Sequence, residues 1–529
     1  MHSLRVKIYA LLALGFAVRV FVALQSPLAL QSWPLNDDSH YYFTIARHLA
    51  HGDGLKHDSF HVTTGFQPLF LCLITPLFAL IQDKLLAINA VLLMQAAIGC
   101  CAGALLYRVA SLITTRQFAL LALGIWATSP VILNADLNGL ETCTSSCLLL
   151  ATSYIYALDF VIPAGAPGRW AFVRLGFLCG LSFLARVDLG LLIPVLSADI
   201  GLRLFRRLSR RELISRLALF NATASVVISP WLVFNWVTIG SVLPSGGQAV
   251  RFLAQAYGYR YLRGSGPAFE IGHPPFAYYL LTTRVAAREA LAMLHGTVPL
   301  WIGALCLGYA AFVAPREWWR AQQRLRFFFV FLGLLFCAYA WYIFGQWFLR
   351  RYFMPIAAGY VLLLVSAAEQ VATHVRRRAP ILRHGLLVIA LSTLTVSLAR
   401  SFADVRQAIH SPPSGYYDAA LWVNGHTPQG SLIGAFQTGI VGYYLDRPFY
   451  GLDGKINVDA LRAMKAQQID LYVEREKIDY LMDWPWILDD LFKRRARDPS
   501  FLERRPRVAH GFYDVYDLSA PPTQSIASH

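Results

Sequence analysis

The stretch LNDDSHYYFTIARHLAHGDG, Leu35 to Gly54, which runs on to TTGFQP, Thr63 to Pro68, decides how the chain is read. It is the first polar run after an apolar opening, and a long series of hydrophobic segments follows it. Two adjacent carboxylates, Asp37 and Asp38, stand near its start. Helical spacing then places Tyr41, Ile45 and Leu49 on one face and Thr44, Arg47, His48 and His51 on the other. Asp38 or Ser39 can cap such a helix, and Gly52 or Gly54 can end it. The pattern predicts an amphipathic helix on a membrane surface, with an acid pair held at its N-terminus.

The rest of the composition agrees with a membrane setting. Of 529 residues 56% are hydrophobic and 15% charged, far from the balance of a soluble enzyme. The apolar residues come in runs of roughly 17–25, the length that spans a bilayer as a helix. The net charge of +16 sits in short clusters between those runs, as in cytoplasmic loops. No continuous basic face interleaved with aromatics appears, so nucleic acid is excluded as a partner. All eight cysteines lie in apolar segments and read as packing residues; Cys143 and Cys147 share a helix face but have no His pair beside them. The first apolar segment, Val6 to Gln25, lacks a small-residue cleavage site and reads as a retained helix rather than a signal peptide.

Counting Lys and Arg in the loops orients the chain. Arg5 and Lys7 place the N-terminus in the cytoplasm and the Asp37–Asp38 loop outside. Phe66 to Ile81 is short and holds Gln67, Pro68 and Pro76, so it reads as a half-inserted or surface helix of that first outer loop. Spans are then expected over Leu85–Tyr107, Phe118–Leu133, Thr142–Ile162, Ala171–Ala185, Leu189–Phe205 and Leu217–Val237. A long outer loop, Gly240 to about Gly296, carries a second amphipathic stretch, Phe276 to Leu294. Val298–Val313, Phe327–Phe344, Tyr352–Ala372 and Leu386–Ala399 complete a polytopic α-helical membrane protein of about eleven spans. From Ser401 short β-type runs alternate with helical stretches, which predicts a small extracytoplasmic α/β domain over residues 401–520 beside a membrane domain over 1–400. Residues 521–529 read as a disordered tail.

On this topology the outer face gathers acids (Asp37, Asp38, Asp136, Glu141, Asp188) and arginines (Arg186, Arg251, Arg350, Arg351) from distant segments. Charges at a membrane boundary are costly, so a cluster drawn from several segments points to a site. Against that stands the bland reading of polar outer loops and interfacial arginines reaching lipid headgroups.

The segments DDSHYYFTIARHLAHGDG, TTGFQPLF, NGLET, LARVD, GSVLPSGGQA, RRYFMP and YGLDGKIN, in this order, resemble the GT-C class of membrane glycosyltransferases, which use polyprenyl-phosphate sugars. Protein O-mannosyltransferases and lipid A aminoarabinose transferases belong to it. This chain has Asp37-Asp38 where the class often has Asp-Glu, and Arg186-Val187-Asp188 where it often has Arg-Pro-Asp. The resemblance implies transfer, with inversion, of a sugar from a polyprenyl-phosphate donor to an acceptor hydroxyl on a glycan, lipid or protein. It implies Asp37 as the base, with Asp38 beside it. Such a reaction needs a carboxylate to take the hydroxyl proton and cations on the departing phosphate. Arg350 and Arg351 are the expected phosphate ligands, then Arg251 and Arg186; Glu141, Asp136 or His57 would orient the acceptor or a metal. No cofactor is fixed by the sequence. Some class members use a divalent ion, and His40, His48, His51, His57 and His61 crowd the first outer loop, but their spacing alone reads as a wetted polar loop. The rival readings are a transporter or flippase for a lipid-linked sugar, and a ligase moving a glycan from lipid pyrophosphate.

Overall fold

The computed structural model describes residues 2–163, 165–263, 274–343, 349–378 and 382–520. The predicted tail over 521–529 lies outside them. The bundle opens with α1 (His2–Ala23), α2 (Asp37–His51), α3 (Pro68–Leu80), α4 (Lys84–Ala110), α5 (Arg116–Thr128), α6 (Pro130–Asp136) and α7 (Thr142–Tyr156). Among the described residues seven helices are long and apolar enough to cross a membrane, or nine if each of two bent pairs is one span. One bent pair is α5 with α6, at 65°; the other joins Phe276–Thr297 to Leu300–Val313, at 90°. Two further expected spans fold as Arg169–Ala185 and Leu192–Leu204, helices of 17 and 13 residues. Both fall short of the ~20 residues a perpendicular span takes, so length alone does not reach eleven. With 13 residues, α3 is about 20 Å long, too short to cross.

Helix α2 departs from the surface helix expected of it. Its residues Ser39 to Ala46 are all buried. One side packs on α3, where Tyr42 meets Phe70 edge-on at 5.2 Å and Phe43 lies 6.0 Å from Phe78. The other side is covered by the short helix Gly439–Tyr444 of the C-terminal unit, where Tyr443 lies 6.2 Å from Phe43. The N-terminal part of α2 is thus roofed by protein some 400 positions away, which local periodicity does not register, while Arg47 and His48 are half-buried and His51 is exposed. Gly439 is the point of closest approach: a Cβ there would lie 2.0 Å from the Asp37 carbonyl oxygen.

The helix Leu382–His410 carries straight through residue 401 and delivers the chain to the C-terminal unit. The composition changes there without a break in the helix. The C-terminal unit is a five-stranded sheet of β1 (Ile433–Ala435), β2 (Phe449–Gly451), β3 (Tyr480–Asp483), β4 (Arg507–Ala509) and β5 (Asp514–Asp517), in the order β2-β1-β3-β5-β4. β1 is parallel to β2 and β3, while β5 runs antiparallel to β3 and β4. One of the helical stretches of this unit is two helices, Val458–Lys465 and Ile469–Arg475, broken at Gln467 with φ 56°. Asp483 closes the end of β3 by accepting the N–H groups of Phe436, Gln437 and Trp484. A strap helix, Ser245–Arg263, lays Ala249, Phe252, Leu253 and Ala256 onto the hydrophobic core of this unit. The bundle, the strap and the C-terminal unit therefore meet around the N-terminus of α2.

Candidate active site

Asn36, not Asp38 or Ser39, caps α2: its side-chain oxygen accepts the Ser39 N–H at 3.1 Å. That leaves both carboxylates of the first turn free for other partners, on a helix end whose dipole favours negative charge. Gly52 ends the helix at φ 89°. The two acids then diverge. Asp38 accepts from Arg351 at 2.8 Å and from Lys455 at 3.3 Å. Burial alone would raise its pKa, but these two cations hold it well below the usual carboxylate range. Asp37 points to the C-terminal unit, where its Oδ1 accepts the Ile440 N–H at 2.7 Å. Its Oδ2 is buried with no hydrogen-bond partner among the described residues. Burial, with the neighbouring charge of Asp38, pushes Asp37 up to about 7 against the pull of the Ile440 N–H.

A second knot forms where the helix Arg169–Ala185 ends. Arg186 donates to Glu141 at 2.9 Å, to Asp188 at 2.6 Å and to the Tyr339 hydroxyl at 2.9 Å. Its guanidinium also lies 4.9 Å from the Tyr352 ring centroid. Tyr339 stacks on Tyr352 at 4.7 Å and donates its hydroxyl to Asp188. Glu141 is placed at the start of α7, Arg186 and Asp188 at a helix junction, and Tyr339 in a wide helical turn, Ala338–Tyr342. One residue alone would be a costly buried charge; together the donors and acceptors satisfy one another.

Both knots open onto one cavity of about 1050 Å³. Asp38, Glu141, Arg186, Arg251, Arg351 and Lys455 line it, with apolar walls that include Phe183, Leu191, Ile228 and Leu232. Arg251, from the strap helix, lies 4.6 Å from the Tyr342 ring. An elongated ligand with an anionic group and an apolar tail fits these walls, because the cations offer charge-assisted bonds and the helices offer dry surface.

Comparison with known proteins bears on that description. Residues 67–234 match the family described as dolichyl-phosphate-mannose-protein mannosyltransferase, and residues 404–523 match a domain of unknown function, DUF8728. No curated protein matches the chain in sequence. In structure it is similar to the oligosaccharyltransferase AglB of Archaeoglobus fulgidus in complex with an inhibitory peptide and a dolichol-phosphate, with a TM-score of 0.58 and 14% identity over 93% of this chain and 72% of that one. It is also similar to ArnT of Cupriavidus metallidurans, in the apo state (TM-score 0.57, 13% identity, 96% of this chain and 97% of that one) and bound to undecaprenyl phosphate (0.56, 15%, 95% and 97%). The chain has the GT-C glycosyltransferase fold.

Within this GT-C fold the residues singled out from sequence part into two groups. Asp38, Glu141, Arg186, Arg251 and Arg351 come together at the cavity, and Asp37 lies directly behind Asp38. Three do not come together with them. Asp136, the last residue of α6, is inside the bundle, fully buried against Arg19 at 2.6 Å, and α6 is bent by 65° from α5. Arg350 turns outward, 60% exposed, and pairs with Glu289 at 3.3 Å; one helical step of about 100° separates it from Arg351. His57 is buried between Tyr41, on which it stacks at 4.4 Å, and Thr438; burial lowers it to about 3, so it is a neutral packing group. His61 pairs with Asp58 at 2.8 Å instead of joining His57. Among the described residues no three His, Cys, Asp or Glu side chains converge on a metal position.

Lys455, Asp453, Tyr339 and Tyr352 belong to the site and were not read from sequence in that role. Tyr41 donates to Asp453 at 3.0 Å, and Lys455 lies 3.4 Å from the same carboxylate. The signals were the segments YGLDGKIN, for Asp453 and Lys455, and RRYFMP, for Tyr352, which the resemblance already included; the 417 positions between Asp38 and Lys455 hide the contact.

Proposed function

We propose that the chain is an inverting, polyprenyl-phosphate-dependent glycosyltransferase. In this reading the prenyl tail lies along the apolar walls of the cavity, and Arg351, with Arg186 and Arg251 beside it, receives the donor phosphate. An acceptor hydroxyl on a glycan, lipid or protein attacks the anomeric carbon from the face opposite the phosphate. Its proton passes to Asp37 Oδ2, the oxygen left without a partner, while the bond from the anomeric carbon to the phosphate oxygen breaks and that oxygen keeps the electron pair. A carboxylate titrating near 7 is both ionised and basic enough for this work. Asp38 orients the cations, and Glu141 and Asp188 fix the Arg186 fork. The sugar is a hexose or a pentose. The setting is a bacterial inner membrane with the N-terminus cytoplasmic and the C-terminal unit outside, as the distribution of arginine between loops suggests.

The observation that carries the reading is the junction itself: an acid doublet in which Asp38 pairs with cations on the cavity wall and Asp37 keeps a buried carboxylate oxygen with no hydrogen-bond partner among the described residues. The test is Asp37→Asn in purified, full-length protein. Transfer to envelope glycoconjugates, followed by mass spectrometry, should fall by roughly 10²–10⁴. Binding of undecaprenyl phosphate should stay within about twofold of the wild type. Unchanged transfer would remove Asp37 from the mechanism, and an absence of polyprenyl-phosphate binding in the wild type would remove the donor.

A further inference from the structure

The cations that line the cavity divide by what holds them. Arg186 faces Glu141 and Asp188. Arg351 and Lys455 share Asp38, and Lys455 has Asp453 as well. In those two knots four carboxylates meet three cations, so they carry no spare positive charge. Arg251 and Lys465 line the same cavity and have no ion pair or hydrogen bond among the described residues. Each lies against an aromatic ring instead. The Arg251 guanidinium is 4.6 Å from the Tyr342 ring centroid, and the Lys465 ammonium is 6.0 Å from that of Phe252. A ring face attracts a cation without supplying the carboxylate that would neutralise it. Burial and the nearby charge of Arg462 both lower the Lys465 pKa, and no carboxylate offsets them.

Both unpaired cations belong to the wall that the strap and the C-terminal unit supply. Arg251 and Phe252 are neighbours on the strap helix, and Lys465 is the last residue of the helix Val458–Lys465. Both side chains are exposed, so a ligand from water can reach them. The apolar walls that suit a prenyl tail, Phe183, Leu191, Ile228 and Leu232, come from the bundle instead. We infer that the acceptor carries an anionic group, a phosphate ester or a carboxylate, and that this group docks on Lys465 and Arg251. This rests on the functional reading above and deepens it by naming a property of the acceptor. In that reading Arg251 also flanks the donor phosphate. Its planar guanidinium has two donor edges and can face both anions, whereas Lys465 serves the acceptor alone. An anion here neutralises the part of the cavity wall that holds surplus charge, and a neutral acceptor leaves that charge uncompensated.

The acceptor probe is the glycoconjugate pool extracted from envelopes of cells lacking this chain. It is offered to the full-length protein in lipid nanodiscs, with a lipid extract of the same cells as donor source, and transfer is read by mass spectrometry. One portion is used as extracted, a second is treated with aqueous hydrofluoric acid to remove phosphate esters, and a third has its carboxylates reduced to alcohols. Transfer should fall about tenfold or more on at least one treated pool, which identifies the anion. On the untreated pool Lys465→Met should raise the apparent acceptor KM about fivefold or more with kcat near the wild type, while Lys465→Arg, which keeps the charge, should stay within about twofold. Undecaprenyl phosphate binding and Tm should match the wild type in both variants. Equal transfer to all three pools, or an acceptor KM within about twofold of the wild type in Lys465→Met, would overturn the inference and leave the donor reading intact. An equal loss of undecaprenyl phosphate binding in Lys465→Met would move Lys465 to the donor and overturn it too. A wild type that neither binds undecaprenyl phosphate nor transfers sugar to any pool would overturn the functional reading and this inference together.

Discussion

Two arginines of this chain are buried to almost the same degree and do opposite things. Arg19, 1% exposed, is enclosed in the bundle: it donates to Asp136 through two nitrogens, at 2.9 and 2.6 Å, and also to the Gly15 and Trp126 carbonyls. Arg186, 6% exposed, is held as tightly by Glu141 and Asp188, but its knot is part of a cavity wall. Burial and pairing alone do not mark a functional charge in a membrane protein. What separates the two is the open volume beside the Arg186 knot.

That distinction can be broken experimentally. The largest effect is expected for Arg19→Ala. It strands Asp136 in the bundle and should cost about 3–5 kcal/mol of stability, read as lost folded yield and a lowered Tm, with transfer by the remaining folded protein unchanged. Replacing both partners, Arg19→Met with Asp136→Leu, should recover most of that stability, because a closed pair can be exchanged for apolar side chains of similar volume. Next comes Arg186→Ala. Transfer should fall by roughly 10²–10³, with a loss beyond any change in Tm, since a preorganised cation beside the reacting phosphate would be gone. If the double apolar exchange at Arg186 and Glu141 restored transfer, the two arginines would be alike after all.

A pH profile sharpens the comparison further. Asp37 works as a base only when ionised, and its pKa is raised to about 7. The transfer rate should therefore rise with pH up to about 7 and level off above it, falling roughly tenfold per unit below. A rate independent of pH between 5 and 8 would dismiss Asp37 as the proton acceptor. The smallest effect belongs to Arg350→Ala. Its exposed pair with Glu289 should be worth at most about 1 kcal/mol, and melting curves should show little change.

The sequence was legible where the physics is local. The apolar runs announce the helices, Gly52 announces the end of α2, and the acid doublet with its resemblance announces the class of fold. It was less legible where a contact spans hundreds of residues. Arg350 and Arg351 are adjacent letters, and only the rotation of the helix sends one to the cavity and the other to Glu289. Asp136 looked like an outer-loop acid because the 65° bend between α5 and α6 leaves no trace in hydropathy. The histidines of the first loop could be counted but not oriented: His57 turns to Thr438 and His61 to Asp58. Lys455 illustrates the limit best, for nothing in its own neighbourhood of the chain records that its partner lies near residue 38.

The bare backbone of Gly439 has a consequence for any attempt to recombine this protein with its relatives. Since even a methyl group there would collide with the main chain at Asp37, a C-terminal unit grafted from another enzyme can seat only if it presents a glycine at that spot. A graft carrying alanine would be wedged off the first turn of α2, taking with it the Ile440 amide that grips the proposed base. Such chimeras should therefore stand or fall on one hydrogen-for-methyl choice, made right beside the proposed base.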